Sequence, residues 1–274
     1  MNGRETRGLA DLPGGGRLAF TVTGKARARP PILLNRPLGG SMSLWGELAT
    51  TLASELQVIA FDPRGVGWSS DVPWFHSTRA MARDARCLLD TLGVASSHVF
   101  GLSLGAMVAS WLAVDAPTRV EGLVLASLLP EPAALSHRFK SHACHLLRCF
   151  ARPGVEVEVG LVDDILSSEF RTKHPGRTLE IEARLRATPS KRRNLLLSAL
   201  AAAFHTGEAE LVGVPNRTLL LFGELDPIVG LASRAELMRD LPQAELAMFP
   251  RAGHDLSLER PRELGETVLK FLAH

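Results

Sequence analysis

The pentapeptide Gly101-Leu102-Ser103-Leu104-Gly105 sets one hydroxyl between two glycines, where an apolar run of strand type gives way to a helical pattern. Serine is a favoured helix N-cap, so capping is one reading of Ser103. The other is nucleophilic attack. A serine hydroxyl attacks well only when a base takes its proton, and the base needs a third group to fix its tautomer. Two downstream stretches carry such groups. "LLLFGELDPIVG" has Asp226 just beyond an apolar run, and "AMFPRAGHDLSLERP" has His254 just beyond the next one. Glu224 is an alternative acid, while Asp255 follows His254 directly and is expected to face elsewhere.

Acyl transfer also requires N–H donors for the oxyanion that forms on the substrate carbonyl. The N–H of Leu104, next after the serine, is one candidate. Leu38, in the loop "RPLGGSMSLW", is the other. Gly39 and Gly40 are expected to let the backbone approach a ligand closely, and Ser41 or Ser43 to cap the helix that carries Trp45.

These residues act together only if the chain brings them to one edge of a sheet. Short apolar runs at 31–35, 56–61, 98–102, 120–127, 217–223 and 244–250 read as strands, preceded by a hairpin that turns at Gly14-Gly15-Gly16. Between them "MSLWGELATTLA", "STRAMARDARCLLDTLG", "LGAMVASWLAVDA", "GLASRAELMRDL" and "RPRELGETVLKFLA" have apolar residues at helical spacing. Strands alternating with helices imply an α/β fold, a mostly parallel sheet with both faces covered. The alternation stops between 130 and 213, where several helices are expected without strands. The chain therefore divides into a core of 1–129 and 214–274 and a helical insertion at 130–213, placed before the last two core strands.

Composition narrows the classes of function. A net charge of +2 over 274 residues, with no basic stripe interleaved with aromatics, argues against nucleic acid as a partner. Lys191-Arg192-Arg193, the compact basic run, reads as a solvated helix face. The three cysteines, Cys87, Cys144 and Cys149, and the absence of a signal-like start or a membrane-length apolar stretch point to a cytoplasmic protein without a membrane partner. His142, His145 and Cys149 would share a helix face near Cys144, but the spacing matches no zinc motif and a fourth ligand is missing, so no metal is expected. His76, His98, His137, His174, His205 and His274 are expected to face solvent or to be satisfied locally. Gly65-Val66-Gly67 lacks the third glycine of a dinucleotide fingerprint.

The blocks "FDPRGVGWSS", "GLSLG", "LLLFGELDPIV" and "AGHDLSLERP", in that order and spacing, resemble the α/β-hydrolase superfamily over nearly the whole chain. Within it, "GLSLGAMVASWLAVDAPTRVEGLVLAS" is most similar to the enol-lactonase and small-esterase branch. The resemblance implies an α/β-hydrolase fold, a lid made from 130–213, a Ser103, Asp226, His254 triad, no cofactor, and a structural turn at Asp62 and Arg64. One position departs from the pattern. Arg36-Pro37 stands where the family usually has His-Gly. Pro37 has no N–H, but the expected donor is on Leu38. Arg36 reads as an anchor for a substrate carboxylate, as a partner for a lid acid, or as a surface arginine.

The expected function is hydrolysis of an ester, lactone or thioester of a small to medium, moderately apolar substrate through an acyl-enzyme. Acyl transfer and carbon–carbon hydrolysis use the same triad. A ligand-binding protein that keeps the fold without turnover is the alternative from another class.

Overall fold

The computed structural model describes residues 5–26, 28–129 and 162–273. His137, His142, Cys144, His145, Cys149 and His274, and with them the question of a zinc face, lie outside the described residues.

The strands are β1 (Thr6–Asp11), β2 (Arg17–Thr23), β3 (Ile32–Asn35), β4 (Val58–Phe61), β5 (Ser97–Leu102), β6 (Val120–Ala126), β7 (Thr218–Gly223) and β8 (Glu245–Phe249). They form one eight-stranded sheet in the order β1-β2-β4-β3-β5-β6-β7-β8. β1 pairs antiparallel with β2, and β2 with β4; every later pairing is parallel. The hairpin turns at Gly14, Gly15 and Gly16, whose φ values of 82°, 96° and 91° suit glycine.

The helices are α1 (Gly46–Ala53), α2 (Thr78–Thr91), α3 (Leu104–Asp115), α4 (Ser168–Lys173), α5 (Pro175–Arg186), α6 (Arg192–Ala203), α7 (Glu208–Leu211), α8 (Leu231–Asp240), α9 (Leu256–Glu259) and α10 (Pro261–Leu272). Alternation along the strands sorts side chains between two apolar layers. Leu33, Val99, Leu123, Leu125, Leu220 and Phe222 pack with α2, α3 and α8 through Leu88, Trp111 and Leu237. Their neighbours Ile32, Leu34, Phe100, Val124 and Leu221 point the other way, onto Leu48 and Leu52 of α1 and Val268 and Phe271 of α10. α3 is buried along almost its whole length, which explains why it is apolar all round rather than amphipathic. β8 departs from the expected fully buried strand: it is an edge, and Leu246 and Met248 remain exposed there.

Between β6 and β7 all the named elements are helices, α4 to α7. Val162, Leu166, Phe170, Ile181 and Leu185 form a third cluster with Leu44 from the turn after β3 and Leu258 of α9. The segment after β4 ties to the same region. Gly67 donates its N–H to Pro189 at 2.9 Å, and Asn194 of α6 accepts from Val72 and donates to Asp71. Asp62 holds this turn, accepting from the N–H groups of Met42 and Trp68, and Arg64 pairs with Asp84 at 2.7 Å, so both serve structure as the resemblance implied. Among the described residues no helix is long and apolar enough to cross a membrane.

Candidate active site

Ser103 sits between β5 and α3 with φ 56° and ψ −117°, a strained conformation for a residue with a side chain. Its side chain makes no capping hydrogen bond, which removes the helix-cap reading. The turn is tight enough to exclude side chains on either side. A Cβ on Gly101 would lie 2.6 Å from Ala106 Cα and strike the Gly105 carbonyl, and one on Gly105 would strike the Asn35 carbonyl and lie 2.8 Å from the Arg36 carbonyl oxygen. Gly105 thus seats the loop after β3, which carries Leu38, against the first turn of α3. Leu104 opens that helix, so its N–H has no partner within it. The serine's own N–H donates to Ala126 at the end of β6.

Asp226 and His254 leave β7 and β8 at the same edge of the sheet and meet there. His254 Nδ1 lies 2.9 Å from Asp226 Oδ2, with both side chains buried. The other carboxylate oxygen of Asp226 accepts from the N–H groups of Ile228 (2.8 Å) and Val229 (3.0 Å), so the carboxylate is held from both ends. Burial opposes charge on Asp226, but the imidazole and these hydrogen bonds outweigh it and bring the pKa below its ordinary value. Burial likewise opposes charge on His254, and the nearby Asp226, with a smaller contribution from Asp255, takes its pKa above the ordinary value. Glu224 is exposed and accepts from the Arg251 N–H at 2.9 Å, away from the imidazole.

Residues that motif reading passed over hold this geometry. Ser127, just beyond β6 with φ 49°, donates its hydroxyl to the His254 carbonyl at 2.8 Å. Arg234 of α8 donates to the carbonyls of Val229 and Asp226, bracing the acid loop from below. Glu259 of α9 accepts from the N–H and hydroxyl of Ser167, the N-cap of α4, and so joins the histidine loop to the inserted helices. Ser127 meets its partner 127 positions away, whereas Arg234 reaches back only five and eight positions to the loop after β7.

Arg36 corrects the sequence reading. Its side chain is 1% exposed, which removes the surface reading. It pairs instead with Asp255 at 3.2 Å and bonds Ser257 at 3.0 Å, both in the core segment after β8 rather than in the insertion. Gly40 is corrected with it, since a Cβ there would lie 2.7 Å from Arg36 Nε: this glycine makes room for the guanidinium, not for a ligand. Asp255 faces away from the Asp226 pair, as expected, and Ser41 caps the turn that carries Trp45. His205 is buried and bonded to Thr78 of α2 at 2.8 Å, a partner 127 positions away rather than a local one. Lys191 and Arg193 are engaged as well, Lys191 with Asp71 and Arg193 over the Trp74 ring.

A strand, a strained serine turn flanked by glycines, and a buried acid–histidine pair on the next strand ends define an α/β-hydrolase arrangement. The family model for the alpha/beta hydrolase fold matches residues 30–143. A solved hydrolase from Pseudomonas aeruginosa PA01 superposes with a TM-score of 0.85 at 26% identity, covering 98% of this chain and 99% of that one. The enol-lactonase of Burkholderia xenovorans LB400 shares the fold with a TM-score of 0.81 at 20% identity, over 97% of this chain and 100% of that one. A protein of Pseudomonas savastanoi pv. phaseolicola named "Putative carbamate hydrolase RutD" is 28% identical over 244 residues, 89% of this chain and 93% of the relative. The chain has the α/β-hydrolase fold and is similar to hydrolases of that fold over most of its length.

Proposed function

We propose that this protein is a serine hydrolase that cleaves a carboxylic ester, lactone or thioester of a small to medium, moderately apolar substrate. The observation that carries the reading is the buried His254–Asp226 pair, held at the sheet edge where Ser103 turns without capping its helix. Ser103 Oγ attacks the substrate carbonyl while His254 Nε2 takes its proton, and Asp226 fixes the imidazole through Nδ1. The N–H groups of Leu38 and Leu104 receive the oxyanion. Collapse of the tetrahedral intermediate expels the alcohol or thiol, which leaves with the proton from His254. Water then attacks the acyl-enzyme, His254 accepts its proton, and Ser103 is released with the carboxylate product. These steps use no cofactor.

The segment 130–213 is the cap of this site in the proposal, supported by the all-helical character of α4 to α7 and by the anchoring of α4 through Glu259. The name given to the relative adds carbamates to the substrates worth offering, since attack on a carbamate carbonyl needs the same serine, base and oxyanion donors. Incubation with activated short esters, lactones, thioesters and carbamates, with and without alcohol or amine acceptors, tests the reading and separates hydrolysis from acyl transfer. Wild type should turn over at least one class and react with a fluorophosphonate, and Ser103→Ala should lose both. A well-folded wild type that does neither would leave ligand binding without turnover as the function.

A further inference from the structure

We propose that Arg36 is a positioning residue, locking the loop that bears His254 to the loop that bears Leu38 through its buried pair with Asp255. The proposal rests on the serine-hydrolase reading above and adds a residue to it.

The guanidinium is held at its centre and at its ends. Its Cζ lies over the Trp45 ring, 4.4 Å from the centroid, and Trp45 packs edge-on to Phe100 of β5, the strand that leads into Ser103. One terminal nitrogen bonds Asp255 Oδ2 and the other bonds the Ser257 hydroxyl. Ser257 in turn donates both its N–H and its hydroxyl to Asp255 Oδ1, so both carboxylate oxygens are held. Asp255 is the peptide neighbour of His254, and its own N–H donates to Ile165 at 2.9 Å. At the other end, the Arg36 carbonyl rests on Gly105, two positions ahead of Leu38. One residue therefore touches, through its side chain, the supports of the nucleophile turn and the base, and through its carbonyl the seat of the loop that carries Leu38.

Stability does not account for this choice. Removing two charges from water costs more than their attraction commonly repays, and apolar residues of similar volume serve a core as well or better. Arg36 Nε has no hydrogen-bond partner, and burial lowers the guanidinium's pKa despite the opposing pull of Asp255. What a planar, two-armed cation adds is direction, which apolar packing lacks. It also balances charge near the base. The charged groups around His254 are Asp226 after β7, Asp255 beside it, Arg234 on α8, Arg36 acting on Asp255, and Glu259 on α9, which Asp255 in turn influences.

The test uses the full chain as wild type, Arg36→Met, Arg36→Lys, Asp255→Asn and the double variant Arg36→Met/Asp255→Asn. Readouts are thermal midpoint, fluorophosphonate labelling rate, kcat and KM on an activated ester across pH, and the NMR titration of the His254 ring. Arg36→Met should lower kcat by roughly 10- to 100-fold, the order expected for small misplacement of reacting groups, with KM within about 3-fold. It should also move the His254 titration and the acid limb to higher pH, because Asp255 is left uncompensated. Asp255→Asn should move both the other way. The double variant should return the titration towards wild type while kcat stays at least about 5-fold low, since no directed bond replaces the lost one. Arg36→Lys should recover part of the loss. A folded Arg36→Met with unchanged kcat and titration overturns the proposal, as does a loss that only follows the thermal midpoint. Should Arg36→Met not fold, wild-type kcat in the double variant overturns it instead. Failure of wild type to label would refute the hydrolase reading, and the His254 titration still decides the positioning claim.

Discussion

Asp226 Oδ2 stands 2.9 Å from His254 Nδ1, and neither side chain is more than 2% exposed. The pair is worth most when the acid is ionised and the imidazole protonated. His254 has its pKa raised from 6.5, so its contribution to stability is complete below that value and is lost as pH rises through the folded pKa. Asp226 has its pKa lowered from 3.8, so its contribution is complete above that value and is lost as pH falls through the folded pKa. In the proposed mechanism activity runs against the first of these, because His254 must be neutral to take the proton of Ser103. The kcat/KM profile should therefore show an acid limb above the ordinary imidazole value. Asp226→Asn should move it down and cost on the order of 10³- to 10⁴-fold in kcat, as loss of the orienting acid does in other serine triads. A pH–rate series on both proteins measures this.

Glu224→Gln is the contrasting case. Glu224 is exposed and serves the Arg251 backbone, so its neutral isostere should leave kcat/KM within about 2-fold, as surface substitutions usually do. A loss comparable to that of Asp226→Asn would assign the acid to Glu224.

Gly105→Ala introduces a methyl group where the Asn35 carbonyl already lies. Backbone cannot yield as a side-chain tip can, so the loop bearing Leu38 must move off α3. Overpacking of this kind costs about 1–3 kcal/mol. Thermal melts should register a drop of roughly 5 °C, and fluorophosphonate labelling should fall with it. Labelling at the wild-type rate would show that the seat of the oxyanion loop is not needed.

His205 sets an acid sensitivity separate from the site. Burial lowers its pKa from 6.5 to about 4 while Thr78 holds it, so the unfolded chain binds the proton more readily between those values. Its stabilisation is present above pH 6.5 and is lost as pH falls towards 4, amounting to about 3 kcal/mol in all. His205→Gln should flatten this part of the stability curve, and urea unfolding midpoints at pH 5 and pH 7 provide the comparison. An unchanged difference between the two pH values would place the sensitivity elsewhere.

The strands were legible wherever apolar runs were short and bounded, and the serine turn was legible because its steric demands fall on two near neighbours, Gly101 and Gly105. β8 was read correctly as a strand but not as an edge, since edge position depends on which strand comes last in the sheet. α9 was missed, four residues being too few to show a helical period.

The amino-acid order by itself determined the elements, the elbow, and the succession of Ser103, Asp226 and His254 on strand ends, because these follow from local periodicity, turn sterics and motif spacing. Only the tertiary structure decided that Arg36 turns inward to Asp255 and that Ser127 holds the His254 carbonyl. Those partners lie 219 and 127 positions apart, and a charge or hydroxyl finds such a partner only when sheet order has removed both from water.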